Sequence, residues 1–226
     1  MSETDAEQFA RLALSMYGRR DVDSTLDQVL AFAVSAVGCD HAGVMLVHAG
    51  GEIETAAATT AVVEKADQLQ LEYDEGPCVS AIEDERNFLI LDTMSDGRWP
   101  RWGPRVAELG MRSVLSAELA TDETRVGALN LYATRPGSFD AEDQAVAHIL
   151  ARHAAIALEI TRRHEVLHQA VDTQTKLGQA LGILMARNGL DHDQAFAVLR
   201  QYSQDNNVKL RVVVERLIAS AGPLEG

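Results

Sequence analysis

The chain is predicted to be α+β over about its first 160 residues and all-helical from there on, and three features of the sequence point to this. Short apolar runs separated by turn residues fill positions 43–132, and stretches with helical apolar spacing flank them. From Phe139 onward no proline occurs until Pro223, and the only glycines before Gly189 are Gly178 and Gly182.

Each element has a local cause. A first helix is expected at 7–17, where Phe9, Leu12, Ala13 and Met16 recur at helical spacing. A second follows Asp23-Ser24-Thr25, with Leu26, Val29, Leu30, Ala33, Val34 and Val37 on one face and Gly38 closing it. Strands at 43–48 and 52–57 flank Ala49-Gly50-Gly51, a hairpin signal. Val62, Ala66, Leu69 and Tyr73 then mark a helix that leads into Asp74-Glu75-Gly76-Pro77-Cys78. Three more strands are expected at 88–91, 113–119 and 126–132, the last two joined by Thr121-Asp122-Glu123-Thr124.

A long helix should follow, capped by Ser138 or Asp140, with Asp143 placing acid in its first turn. A heptad runs through Ile156, Ile160, Leu167, Ala170, Leu177, Leu181 and Leu184, interrupted by Arg163 and Gln174. Such a seam suits a homodimer; the alternative is that these side chains pack within their own domain. The next helix starts at Asp191, which pairs with Gln194 as in a capping box, and buries Ala195, Phe196, Leu199 and Tyr202. Asn206-Asn207 breaks the chain, and Asn207 can cap a last helix whose stripe is Leu210, Val213, Val214, Leu217 and Ile218, ended by Gly222-Pro223. These short helices require packing to persist.

Composition bounds the function. With 226 residues, 46% apolar and 24% charged, the sequence is of ordinary globular type and fits two modest domains, 1–160 and 161–226. The net charge of −14 resides wholly in residues 1–165; residues 166–226 hold six basic and six acidic side chains and are neutral. The C-terminal part is therefore the less repulsive surface for a polyanion, though not a basic patch. Cys39 and Cys78 make neither a disulfide framework nor a metal site. The N-terminus lacks a signal-peptide layout and no apolar run is long enough to span a bilayer, so a cytoplasmic protein without membrane contact is expected. No paired carboxylates, triad, phosphate loop or metal spacing stands out, which argues against an enzyme and leaves no catalytic or metal residue to nominate.

Two family resemblances lie on specific residues. The run from Leu177 to Met185 (Leu-Gly-Gln-Ala-Leu-Gly-Ile-Leu-Met), then Ala195-Phe196, Leu199-Arg200, Ser203 and Asn207-Val208-Lys209-Leu210-Arg211, resembles the ANTAR domain. That family is the RNA-binding output module of bacterial antitermination regulators, so the resemblance implies hairpin loops in transcript leaders as partners. Lys176, Lys209 and Arg211 would supply cations, and Gln179, Ser203 and Asn207 polar groups. Ala180 and Gly182 would let the backbone approach a looped-out base. Each has a structural alternative: close helix crossing for Ala180 and Gly182, a cap for Asn207, a solvated face for Lys209 and Arg211. The family commonly has Arg where this chain has Gln174 and Lys where it has Leu181, so two cations are missing.

Residues 20–160 resemble the GAF domains of actinobacterial regulators. The likeness lies in Glu75-Gly76-Pro77-Cys78, Asp92, Arg98-Trp99-Pro100, Gly110, Arg112-Ser113-Val114-Leu115 and the run from Gly127 to Tyr132. It implies a central antiparallel sheet between helices, with a pocket over one face and residues 71–102 as its lid. Glu75, Cys78, Arg98, Trp99 and Trp102 are the pocket candidates. The ligand would be a small molecule and no cofactor is expected; a protein signal is the other possibility. The Asn-Lys-x-Phe-Asp-Glu signature of cyclic-nucleotide GAF domains is absent. For Cys78 a packed thiol is preferred to a redox or catalytic one, with Glu75 expected to raise its pKa. The cluster from Arg98 to Trp102 either clamps an anionic or planar ligand or packs on its own core, the latter preferred. Together these resemblances imply a signal-responsive antitermination regulator; the alternative is a dimeric protein-interaction module that keeps the ANTAR fold without RNA affinity.

Overall fold

A computed structural model describes residues 21–48, 50–84 and 86–221; the helix expected at 7–17 and the stop at Gly222-Pro223 lie outside them. The chain divides between Arg163 and His164 into two compact units.

The first unit is built on a five-stranded antiparallel sheet of order β2-β1-β5-β4-β3. Its strands are β1 (His41–Val47), β2 (Ile53–Ala58), β3 (Phe88–Ile90), β4 (Ser113–Ala120) and β5 (Arg125–Ala133). The β1–β2 connection turns on Gly50 (φ 105°) and Gly51 (φ 86°), a backbone region that side chains with a Cβ avoid. Both faces of the sheet are covered, which is why its strands read as near-continuous apolar runs. Alternate residues split between two cores: Leu129, Leu131 and Ala133 of β5 point to one, Ala128 and Tyr132 to the other.

Helix α1 (Val22–Val37) and the start of the long helix cover the first face. Helix α1 begins ahead of Asp23-Ser24-Thr25, which lie within its first turn, because the Asp21 carboxylate caps it, accepting from Ser24 N at 2.8 Å; Gly38 ends it at φ 69°. Helices α2 (Ala61–Tyr73), α3 (Pro77–Asp84) and α4 (Trp102–Glu108) cover the second face. The stretch 71–102, expected as a lid, holds the end of α2, all of α3 and β3, and turns between them, and it places Cys78, Ile82, Phe88, Ile90, Trp99 and Trp102 in the second core. Pro77 suits the first turn of α3 because its missing N–H has no helical acceptor there.

Helix α5 (Ala141–Asn188) contributes its first part to the first unit and the remainder to the second. Asp140, not Ser138, is its cap: Oδ1 accepts from Glu142 N and Asp143 N, and Asp143 Oδ2 accepts from Asp140 N. In the second unit the end of α5 packs with α6 (His192–Asp205) and α7 (Leu210–Ala221) around Ala180, Leu181, Ala195, Leu199, Val213 and Val214. The Asp191–Gln194 capping box is present.

Candidate functional sites

The most unusual chemistry in the first unit centres on a residue that the motifs did not single out. Asp67 of α2 is fully buried against the sheet. Its Oδ1 accepts from Tyr132 Oη at 2.8 Å and Asn130 Nδ2 at 3.2 Å; its Oδ2 accepts from Thr55 Oγ1 at 3.4 Å. Asn130 in turn accepts from Ser116 Oγ at 2.8 Å. Gly43 makes room for this arrangement, since a Cβ there would stand 2.6 Å from Val63 Cγ1 and 3.2 Å from Asp67 Oδ2. Burial raises the Asp67 carboxyl to about 7, against the opposing pull of the hydrogen bonds from Tyr132, Asn130 and Thr55. The signal was available: α2 carries Asp67 on the face shared by Val63 and Ala66, and β5 carries Asn130 and Tyr132 where an apolar residue would ordinarily stand.

Cys78 adjoins this centre and is itself fully buried, with its N–H donated to Gln70 Oε1 at 2.8 Å. Its thiol is pushed up first by burial and then by the charge of Asp67, not by Glu75. A thiol so held is a poor nucleophile. Glu75 has other work: Oε1 accepts from the backbone N–H of Trp102 at 2.8 Å and of Arg101 at 2.5 Å, so it caps α4 from a distance. Trp102 is fully buried and donates its indole N–H to Ala66 O at 3.1 Å. Trp99 donates to Ser80 Oγ and packs edge-on against both Phe88 and Trp102. Arg98 lies 4.6 Å over the Trp99 ring, pairs with Asp96 and donates to Leu89 O at 2.7 Å. The five pocket candidates are therefore brought close together, but each has a partner within the protein.

In the second unit the candidate RNA contacts separate into groups. Lys176 and Arg211 share a cleft of about 410 Å³ between α5 and α7, which Gln169, Thr173, Asp172 and Glu215 also line. Lys176 Nζ stands 2.8 Å from Asp172 Oδ2 and 3.9 Å from Glu215 Oε1, and the Asp172 carboxylate raises its pKa. Gln179 and Lys209 are exposed. Ala180 is buried in the three-helix core. Gly182 is exposed with nothing within 4 Å of where a Cβ would be, so it marks no close helix crossing. At 100° per residue it lies about 120° around α5 from Lys176.

Ser203 and Asn207 close α6. Asn207 has φ 51°, its N–H donates to Gln204 O at 3.2 Å, and Val208 N–H donates to Ser203 O at 3.0 Å. This is a Schellman motif, with Val208 packed on the core as its hydrophobic partner. Asn207 thus ends α6 rather than capping α7. Ser203 adds a bond from its hydroxyl to Val208 O at 2.6 Å. Gln174 is exposed, whereas Leu181 is only 5% exposed within the core.

The heptad divides in the same way. Leu177, Leu181 and Leu184 pack inside the three-helix core and do not contribute to an outer seam. Lower on α5, Ile149, Ile156 and Ile160 of the first unit are exposed, as are Val166, Leu167 and Val171 of the second, the last three at 64%.

Comparison with known proteins agrees with this division. A family model described as GAF domain matches residues 19–159, and one described as ANTAR domain matches residues 165–218. No curated protein matches the chain. Among solved structures, the GAF domain of a phosphoenolpyruvate-protein phosphotransferase from Coxiella burnetii aligns at 17% identity and TM-score 0.59, covering 72% of this chain and 96% of that one. Free methionine-R-sulfoxide reductase from Neisseria meningitidis, solved with its substrate, aligns at 16% and 0.51, covering 72% and 95%. A bacteriophytochrome from R. palustris aligns at 12% and 0.62, covering 88% of this chain but 46% of that one. These likenesses are of fold alone.

Proposed function

The chain belongs to the GAF family and carries an ANTAR domain behind its GAF domain, and from that premise we propose that it is a signal-responsive antitermination regulator that binds hairpin-containing leader RNA. Both are regulatory domains, and the protein is read as a cytoplasmic regulator and not an enzyme. Among the described residues no helix is long and apolar enough to cross a membrane. The ANTAR match carries the RNA reading, supported by Lys176 and Arg211 lining one cleft with Lys209 exposed nearby in the chain. Gln179 is the remaining exposed polar candidate, and exposed Gly182 leaves the backbone open to a looped-out base; Ala180, Ser203 and Asn207 act through the frame that holds these side chains. Glu75, Cys78, Arg98, Trp99 and Trp102 are proposed to hold the sensor face in shape around a small-molecule or protein signal.

The test is a titration of the full chain against RNA with two adjacent six-base-loop hairpins. Arg211→Ala and Lys209→Ala should each weaken binding about three- to tenfold and lower the salt slope by nearly one. A folded wild type that fails to bind at low salt would leave the scaffold reading, in which the ANTAR fold serves protein contacts only. The neutral charge of residues 166–226 and the exposed Val198 and Tyr202 favour that second reading.

The protein is further proposed to be a homodimer joined through exposed apolar side chains of α5, Ile149, Ile156 and Ile160 in the first unit and Leu167 and Val171 in the second. Leu167→Asp removes an exposed apolar side chain, so it should convert a dimer mass to a monomer mass in light scattering without loss of helix content. A monomer mass for the wild type at tens of micromolar rejects this assembly. Leu177→Asp is unsuited to the purpose because Leu177 packs on the three-helix core.

A further inference from the structure

The cleft between α5 and α7 holds two carboxylates beside one of its cations, Lys176. Lys176 is bracketed by Asp172, one turn before it on α5, and by Glu215 on α7, at 2.8 and 3.9 Å. Glu215 is also one turn beyond Arg211, which lines the same cleft. With all four groups ionised the cleft has no net charge, and Lys176 already has an anionic partner. These side chains are substantially exposed, with Lys176 at 39% and Asp172 at 62%, so the pairing is weak enough to be exchanged for another anion.

We propose that Asp172 and Glu215 set the RNA affinity of this protein by competing with phosphate for Lys176 and, through Glu215, for Arg211. This rests on the RNA-binding function proposed above and adds the residues that tune it. A phosphate entering the cleft displaces the Asp172 carboxylate from Lys176 and then lies beside two anions. Binding therefore exchanges one ion pair for another and releases fewer counterions than the cation count implies. The consequence is an RNA face whose weakness comes from counter-charges within it as well as from the missing cations at Gln174 and Leu181.

Asp172→Asn combined with Glu215→Gln keeps the shape of both side chains and removes both charges. In the full chain this variant should bind the two-hairpin RNA about tenfold tighter at low salt, with a salt slope steeper by about one. Adding Lys176→Ala to it should abolish most of that gain. Asp193→Asn with Asp205→Asn, which changes the net charge equally but on α6, should leave affinity within about twofold. A wild type that binds while the cleft variant binds no tighter, or while the α6 control gains equally, overturns the inference and leaves the RNA function standing. Folded wild type and cleft variant that both fail to bind overturn the RNA function and this inference with it.

Discussion

Asp67→Asn is expected to stabilise the protein by roughly 4 kcal/mol at pH 8 and to change it little near pH 4. The folded protein holds this carboxyl at about 7, whereas an unfolded chain has it near 3.8. Between those values the folded state binds the extra proton, so stability falls as pH rises through the window and stays low above it. Below 3.8 both states are protonated and the contribution is complete. Asparagine retains an oxygen for Tyr132 and Asn130 and puts an N–H₂ toward Thr55, which removes the charge without emptying the site. Thermal melts of both proteins from pH 4 to 8 give the difference directly. Curves that run parallel across this range would show that Asp67 titrates alike in both states. Cys39, raised to about 12 by burial, does not titrate in this window.

Leu181→Lys is expected to cost roughly 3 to 5 kcal/mol and to unfold the three-helix unit rather than improve its RNA affinity. Leucine there is 5% exposed among Ala180, Ala195, Leu199, Val213 and Val214, so a lysine ammonium would be buried without a partner. The family's usual cation at this point therefore cannot simply be restored in this chain. Gln174→Arg, at an exposed position, adds charge without that cost. Loss of a cooperative second-unit transition in the Leu181 variant checks the claim; a variant as stable as wild type, with tighter RNA binding, would refute it.

Much of the fold was legible because local patterns and tertiary packing agreed. The GAF–ANTAR order and the antiparallel sheet followed from the family resemblances, and the Asp191–Gln194 box from a short-range signal. Helix α4 did not, because its cap is Glu75, a residue 27 positions before Trp102. The heptad misled for a related reason. Periodicity reports that a face is apolar, not what covers it, and Leu177, Leu181 and Leu184 are covered by α6 and α7. Asn207 has the residue type of a helix cap, but its left-handed backbone places it at the end of α6. The Asp67 centre joins residues from α2, β2 and β5, and no contiguous motif contains it.

The contact between Arg98 and Leu89 O has a consequence for how copies of this protein meet in concentrated solution. Strand β3 is an outer strand of the sheet, and outer strands are templates on which other chains can add a further strand. Here the strand is only three residues long, and the Arg98 guanidinium occupies the carbonyl of its middle residue while also pairing with Asp96. An incoming backbone would have to dislodge a charged side chain to gain one hydrogen bond. Arg98 is therefore expected to hinder strand addition along this border, whereas β2, the outer strand on the opposite side of the sheet, is twice as long.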